Sequence, residues 1–442
     1  MIEVELREVL KHRKEFIEIS DFEDYKLCRV QTSRRGVVLR EIKSGSLIKT
    51  KKQQLCKEDD FIVAEMDAKV GGYGFIPKDL EKAIVSSHYF LFEVDFTKIR
   101  KEYLEAIIQT EIVQDQIKAK GSTNYSAVRP KDVLKWKIPL FSLEKQKEIE
   151  VEFLKTKTTS FRLLEEVHTQ KKLLSQLKQS ILQEAIQGKL TADWRAENPK
   201  VEPAEKLLER IKAEKQRLIE EKKIKKEKAL PPISPEEIPF DLPEGWVWCR
   251  LGELCSKTGS GSTPRGGKSA YLEEGIKFIR SQNVYNDGLR LNDVAYISEE
   301  THEKMKATKV QAEDLLLNIT GGSIGRCCLV SNNFDTGNIN QHVAIIRAVV
   351  RDNGYYLHKV ICAPYFQKKI FDVQTGAGRE GLPKNKMDNI LIPLPPLEEQ
   401  KIIVQKVTAL LQKCEALEAE VTQSEQHAQM LMQAVLKEAF AG

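Results

Sequence analysis

The residues with catalytic potential come in small groups, and each group falls short of a working site. Glu65–Lys69, "EMDAK", follows Asp60 and loosely matches the carboxylate–lysine clusters with which nucleases hold a divalent ion. Short acid–x–lysine strings are common by chance, and the later counterpart of this segment, "NITGG", keeps none of the acids. Asp60 and Asp314 read instead as turn residues at strand starts. "GSTPRGGKS" (Gly261–Ser269) approaches a phosphate-loop pattern but carries one residue too many, with Pro264 inside it. The seven histidines are scattered and form no HExxH. Cys28, Cys56, Cys249, Cys255, Cys327, Cys328, Cys362 and Cys414 form no CxxC pair, which argues against a zinc ribbon. They read as reduced thiols of a cytosolic protein. "NPK" at Asn198 is not an amino-methyltransferase motif, and no glycine-rich S-adenosylmethionine loop follows a strand. No catalytic residue, resident cofactor or metal ligand is expected in this chain.

Binding chemistry is better represented. Between Lys26 and Leu55 stand nine basic residues, opposed only by Glu41. Arginine suits phosphates and the O6/N7 edge of guanine, and glutamine suits adenine. The DNA-contact candidates there are Arg29, Gln31, Arg34, Arg35, Arg40, Lys49, Lys51 and Lys52. A plain solvated surface is the competing reading. A second group lies in "TGSGSTPRGGKSAY" and "FIRSQNVYNDG". Small residues there let backbone approach a phosphate while arginine and lysine supply charge. Its candidates are Ser262, Thr263, Arg265, Lys268, Arg280, Gln282 and Asn283. The net charge of +5 is only mildly basic, so the placing of charge matters more than its total.

The elements that must carry these groups are written twice. "IPLFSLEKQ" (Ile138–Gln146) returns as "IPLPPLEEQ" (Ile392–Gln400), 254 residues later. The same offset takes Asp60 to Asp314 and "ILQEAIQG" to "VLKEAFAG". "VELREVL" aligns with "CRLGELC" at an offset of 245, so the first copy lacks nine residues between Leu6 and Asp60. Each copy reads as a variable globular part followed by a long helix. "DFIVAEM" and "DLLLNIT" read as matching buried strands, "GGYGFIP" and "GGSIGRC" as matching turns, and "AIVSSHYFLFEV" and "NINQHVAIIRAV" as further matching strands. Helices are expected at "KEYLEAIIQTEIVQDQI" and "YYLHKVICAPYFQKKI". The fold class is α/β of the mixed (α+β) kind.

Apolar residues at alternating spacings of four and three mark the long helices. The first seam includes Ile149, Phe153, Leu163, Val167, Leu174, Leu177 and Ile181; the second includes Ile403, Val407, Leu410, Leu417, Val421, Leu431 and Val435. Each spans about 40 residues, or roughly 60 Å. Single-seam helices need partners, and two copies about a pseudo-two-fold axis supply them as an antiparallel coiled coil. The competing reading packs each seam on its own globular part. Residues 1–142 and 243–396 are then the globular domains, 143–190 and 397–442 the helices, and 191–242 a linker. In that linker Ala204–Lys228 reads as a solvated charged helix, its lysine run as a solvated face, and the prolines beyond as extended chain. No apolar run approaches the length of a membrane span, and the N-terminus has no signal-peptide core.

With the doubled phrase, the phased helices, "LTADWRAENP" (Leu190–Pro199) and "LPEGWVW" (Leu242–Trp248), the chain resembles the specificity subunit of type I restriction–modification enzymes over essentially its whole length. The resemblance implies a non-catalytic subunit whose two target-recognition domains each read one half of a split, asymmetric site in double-stranded DNA. The helices would act as a ruler for the spacer. Two methyltransferase subunits would dock, bind S-adenosylmethionine and methylate a flipped adenine. Restriction subunits using ATP and Mg²⁺ would join them in the cytoplasm. One departure is that "MIEVELREVL" opens the first copy without a counterpart of "LPEGWVW": either that domain dispenses with it or the true start lies upstream. The rival functions are a coiled-coil protein adaptor that does not bind DNA sequence-specifically, and a self-contained nuclease or methyltransferase.

Overall fold

Period-two burial explains the strands at the centre of each copy. In the computed structural model, residues 2–117, 127–375 and 381–441 are described. The chain divides into two compact units, Met1–Gln170 with Glu420–Gly442, and Lys171–Ala419. In the first, the strand Phe61–Ala64 is buried throughout. Phe61 and Val63 pack with Tyr73, Phe92, Tyr103 and Leu104, while Ile62 and Ala64 pack with Cys28, Val30 and Leu91. A strand covered on both faces reads as a continuous apolar run, as "FIVA" does. In the second unit Leu315 and Leu317 face the helices, and Leu316 faces Ile279 and Ile345.

Around these strands each unit builds the same frame. The first has an antiparallel sheet in the order Leu10–Arg13, Tyr89–Val94, Phe61–Ala64, Tyr73–Phe75. The second has Cys255–Ser260, Val343–Ala348, Leu315–Asn318, Cys327–Leu329 in the matching order. A two-stranded ribbon closes each frame, Ile2–Glu5 with Lys137–Leu140 and Val247–Arg250 with Leu391–Leu394. One expectation needs correction: only the first part of "GGYGFIP" is a turn, because Tyr73–Phe75 pairs with Phe61–Val63 as a strand. The helices fall where expected, each broken once: Lys101–Gln109 then Glu111–Gln114, and Asn353–Cys362 then Pro364–Thr375. The Thr110 side chain caps the restart in the first, accepting from Ile112 N at 3.2 Å.

The outer sheets differ between units. The first carries five strands in the order Phe16–Glu18, Lys52–Leu55, Ile84–Val85, Asp24–Val30, Val37–Ser44. The second carries Ala295–Ile297, Ile276–Ile279, Gly337–Ile339, Lys309–Val310 and a separate small hairpin, Val284–Tyr285 with Gly288–Leu289. This is the stretch in which the two copies lose their common offset.

The long helices run Leu143–Ile186 and Leu397–Ala441. In the first unit the early part of one lies antiparallel to the late part of the other, with Ser160 Oγ donating to Ala428 O at 3.0 Å. In the second unit the remaining parts pair in the same sense: Lys178 meets Glu418 at 2.6 Å and Lys406 Nζ meets Leu190 O at 2.9 Å. The repeated phrase anchors each helix start. Gln146 Nε2 donates to Phe141 O at 2.9 Å, and Gln400 Nε2 donates to Pro395 O at 3.0 Å, the equivalent bond. Tyr103 OH donates to Pro139 O at 2.8 Å and Tyr356 OH to Pro393 O at 2.6 Å. In the second unit only, Glu399 is wholly buried and accepts from Trp246 Nε1 at 2.8 Å, Thr191 Oγ1 at 2.6 Å and Arg195. Lys145 holds the equivalent place in the first copy, which has no such tryptophan.

The linker departs from expectation. Its helix is Ala204–Glu220, ending before a left-handed Lys222 (φ 58°), and one face is not solvated. Ala204, Leu207, Leu208 and Ile211 follow helical spacing and enter the core of the second unit. The extended segment beyond is held by Arg250, which donates to Pro231 O at 2.8 Å, Pro232 O at 3.0 Å and the Glu237 carboxylate at 2.9 Å. Among the described residues no helix is long and apolar enough to cross a membrane.

Asp60 and Asp314 do serve strand starts, each accepting a backbone N–H three residues earlier, Lys57 N and Gln311 N. Each also faces an arginine of the same sheet, Arg13 from its edge strand for Asp60 and Arg347 from the adjacent strand for Asp314. Arg347→Met leaves the buried Asp314 carboxylate without its cation and is expected to destabilise the second unit by about 3–5 kcal/mol. A denaturant midpoint shifted by less than about 1 kcal/mol in equivalent free energy would show that the pair does not hold this strand start.

Candidate nucleic-acid interface

A two-stranded ribbon gathers most of the first basic group. Asp24–Val30 pairs with Val37–Ser44, and the second of these is an edge of its sheet. Cys28 and Val30 turn into the core, so Arg29 turns out. A bulge opposite Leu27 and Cys28 leaves Arg40 out of register with any partner, and its side chain is exposed. At the tip Gln31 N donates to Gly36 O at 2.9 Å. Ser33 and Arg34 both take the left-handed conformation, φ 59° and 60°, which side chains adopt at a cost and which the fold must therefore impose. The imposing contacts are Ser33 N to Val70 O at 2.6 Å and Arg34 N to Gly71 O at 3.0 Å. Gly71 has to be glycine: a Cβ there would sit 2.7 Å from Arg34 N.

Within this ribbon the candidates have unequal freedom. Arg34 donates to Thr110 O at 2.7 Å, whereas Arg35 is exposed and bonds only its own turn, Thr32 O at 3.2 Å. Gln31 is half-buried. Lys49 is exposed, Lys51 is tied to Asp21 and to Gly45 O, and Lys52 sits 5.2 Å above the Phe16 ring. The fold thus brings Arg29, Gln31, Arg34, Arg35 and Arg40 onto one ribbon and leaves Lys49 and Lys51 in the connection that follows, with Lys52 opening the next strand.

In the second unit Ser262, Thr263 and Arg265 are exposed on the loop after Cys255–Ser260. Gly261 presses that loop so closely on Ile339 that a Cβ would come within 2.0 Å of the Ile339 carbonyl oxygen. Thr263 is bonded to Gln341. The Lys268 side chain lies outside the described residues. Arg280 lies against the Tyr271 ring at 5.8 Å and donates to Asp293 O at 3.0 Å; Gln282, exposed, donates to Asp293 Oδ2 at 2.7 Å. Asn283 differs from the others. It is 2% exposed, accepts from Arg280 N at 3.0 Å and donates to Arg290 O at 2.9 Å, so its amide is taken up inside the turn. One cluster was not legible along the chain: the Tyr285 ring is flanked by Arg290 at 3.8 Å and Arg326 at 4.7 Å. Arg326 comes from a distant turn, so only the fold reveals the pair.

The helix seams are half buried. Ile149, Phe153, Val167, Leu174, Ile181, Ile403, Val407 and Val421 are buried, and Leu410 and Val435 are partly so. Leu163, Leu177, Leu417 and Leu431 are exposed, the last three at 40–46%. Phe153, Ser160, Val167, Leu174 and Ile181 mark a contact at every seventh residue, as do Val407, Cys414, Val421 and Ala428. Small side chains such as Ser160 and Ala428 let the backbones meet, and the alternate leucines are left on the flanks.

Nucleophilic chemistry finds no purchase. Cys362 Sγ lies 3.6 Å from His358 Nε2, the spacing of a cysteine–histidine dyad. Burial pushes the Cys362 thiol up to about 12 and the His358 imidazole down to about 4, so both stay neutral where a dyad needs thiolate and imidazolium. His358 instead bonds Cys327 O at 2.9 Å. Glu299, His302 and Glu303 lie close enough to share a cation, but Glu303 already pairs with Lys309 and His302 with Asn338.

The family model "Type I restriction modification DNA specificity domain" matches residues 3–174 and again 243–424. The chain is 31% identical over 245 residues to the type I restriction enzyme EcoAI specificity subunit of Escherichia coli, covering 54% of this chain and 40% of that protein. It is 28% identical over 270 residues to the EcoEI specificity subunit of the same organism, covering 57% and 42%. The matches thus span less than half the length of these relatives. In fold, it is similar to a chain from a structure titled for complex assembly and conformational transition of the type I R-M system (TM-score 0.65, 20% identity, 99% and 97% of the two chains). It is also similar to the HsdS subunit from Thermoanaerobacter tengcongensis (TM-score 0.51, 20% identity, 100% and 96%).

His358 yields a pH dependence. Its folded value lies below its ordinary one, so the stability it permits is complete above the ordinary histidine range and is lost as pH falls towards 4. The loss for the second unit is expected to be on the order of 3 kcal/mol at the acid limit. His358→Gln should flatten that acid limb in denaturation at stepped pH; an unchanged limb would assign it to other groups.

Proposed function

Since the chain belongs to the type I restriction–modification DNA specificity family, we propose that it reads a split, asymmetric DNA sequence and catalyses nothing itself. The observation that carries this reading is the pairing of one repeated frame with two unlike outer surfaces. Equivalent frames hold the long helices by equivalent bonds, while a five-stranded sheet with a basic ribbon decorates one and a different sheet with an arginine–tyrosine cluster decorates the other. Equal frames suit two domains doing the same job, and unlike surfaces suit unlike half-sites. One domain spans only a few base pairs of one groove, so two together supply the discrimination that one lacks.

The division of labour follows. Arg29, Arg35 and Arg40 on the ribbon supply phosphate and guanine contacts in one half-site. Ser262, Thr263, Arg265 and Gln282 approach the other. The helices fix the spacer, and their exposed flanks, with Leu163 in one unit and Leu177 and Leu417 in the other, offer apolar surface to methyltransferase subunits. Those partners would bring S-adenosylmethionine, and restriction subunits would bring ATP and Mg²⁺ chemistry, to a cytoplasmic complex.

The decisive experiment is methylation mapping by single-molecule sequencing in a host expressing this chain with its partner methyltransferase. A split motif methylated on one adenine in each half, and lost on deleting this chain, is the expected outcome. An assembled, active complex that leaves no split motif would overturn the reading in favour of a protein adaptor. On the mapped site, Arg34→Ala with Arg35→Ala should weaken binding and reduce the slope of log K against log salt by roughly 1–2. Because Arg34 also holds Thr110, a melting curve belongs beside it. An unchanged slope would remove the ribbon tip from the interface.

A further inference from the structure

The outer surfaces differ between the units, yet one exposed side chain holds the same position in both. His88 and His342 are separated by the repeat offset of 254. Their backbones make the same bond: Glu65 N donates to His88 O at 2.8 Å, and Ile319 N donates to His342 O at 3.0 Å. The next bonds match as well, Val128 N to Glu65 O at 3.0 Å and Leu382 N to Ile319 O at 2.8 Å.

The imidazoles are also held alike. His88 Nδ1 lies 2.7 Å from Glu65 Oε2; a carboxylate only accepts, so Nδ1 donates. The other carboxylate oxygen takes Arg129 at 2.7 Å. His342 Nδ1 lies 2.6 Å from Thr320 Oγ1, and the Gln341 side-chain amide donates to His342 Nε2 at 3.0 Å. Nδ1 therefore donates here too. Each ring is clamped through Nδ1 to a residue just beyond the central strand, Glu65 one residue and Thr320 two residues past its end, which leaves Nε2 as the outward edge. The His88 side chain is 75% exposed, and His342 is exposed.

Both stand beside the basic loop of their own unit. The turn that begins at Glu65 is the one whose Val70 and Gly71 hold the Ser33–Arg34 tip. Gln341, next to His342, is bonded to Thr263 of the other candidate loop.

We propose that His88 and His342 are equivalent DNA-backbone contacts, each donating from Nε2 to a phosphodiester of its own half-site. This rests on the specificity-subunit reading. Domains that read different bases have one thing in common to touch, the sugar–phosphate chain, and backbone contacts set register without carrying sequence. A phosphate oxygen only accepts, so Nε2 must carry a proton in the complex; His88 keeps its Nδ1 proton for the Glu65 carboxylate, whereas at His342 the Thr320 hydroxyl can turn to donate to Nδ1. Glu65 and Arg129 are the charged groups facing His88; Thr320 and Gln341, both neutral, face His342, and Gln341 gives up Nε2 on binding.

The test uses the chain assembled with its methyltransferase on a duplex carrying the mapped site. His88→Asn and His342→Asn keep an amide donor near the Nδ1 position, hence the clamp, and delete the outward edge. Each should weaken binding roughly tenfold without lowering the melting temperature. A neutral methylphosphonate at one phosphate of a half-site should weaken the wild type but not the variant matching that half. Variants that bind like the wild type, or a loss that no phosphate substitution reproduces, overturn the contact. An assembled wild-type complex without split-site preference overturns the specificity reading itself.

Discussion

A buried amide fixes the direction of each long helix. Gln146 and Gln400 are 0% and 2% exposed, and each spends its Nε2 on the carbonyl five residues back, where the strand has just ended. A buried donor left unmade costs about 1–3 kcal/mol, so the helix leaves its frame at one angle and register. Tyr103 and Tyr356 add a second tie from the neighbouring helix to the proline of the same phrase. Two ties per helix start make the exit of each long helix from its frame rigid. This explains why the nine-residue phrase is the best preserved part of the duplication.

Elsewhere the two copies satisfy one requirement by different means. Both central strands begin with a buried aspartate, and both need a cation beside it. Arg13 comes from the edge strand of its sheet, Arg347 from the strand next to the aspartate's own. Position by position the sequences disagree, but the charge arrangement is kept. Glu399 shows the reverse. Its carboxylate sits with Arg195, Thr191 and Trp246, and the first copy, lacking the tryptophan, has Lys145 in its place, paired at the surface with Glu148. A buried carboxylate in one copy is thus a surface lysine in the other.

These cases show what a single sequence conveys. "FIVA" and "LLL" were legible because burial on both faces selects apolar residues on both sides of the strand. The strands of the basic ribbon were not, since Arg29, Arg40 and Lys43 interrupt the alternation on a face that meets solvent. The linker helix hid its apolar stripe among lysines and glutamates. Seam spacing announced two long helices but not that Leu163, Leu177, Leu417 and Leu431 would lie on their flanks, because helix separation is set by the small residues between them. Of the candidate site, the ribbon's arginines were visible as a charge run. The Tyr285–Arg326 contact and the matched histidines needed three-dimensional pairing to stand out from chance.

The ribbon's outer strand, Val37–Ser44, has one side without a hydrogen-bonding neighbour and exposes Val38, Leu39 and Ile42. A bare, β-branched edge of this kind is a template on which another chain adds itself. Arg40 and Lys43 sit along that edge, and the bulge at Leu27 and Cys28 bends it out of flatness. The charges suited to holding nucleic acid thereby also keep two copies of the protein from zipping together. Neutralising them would open the strand to self-association.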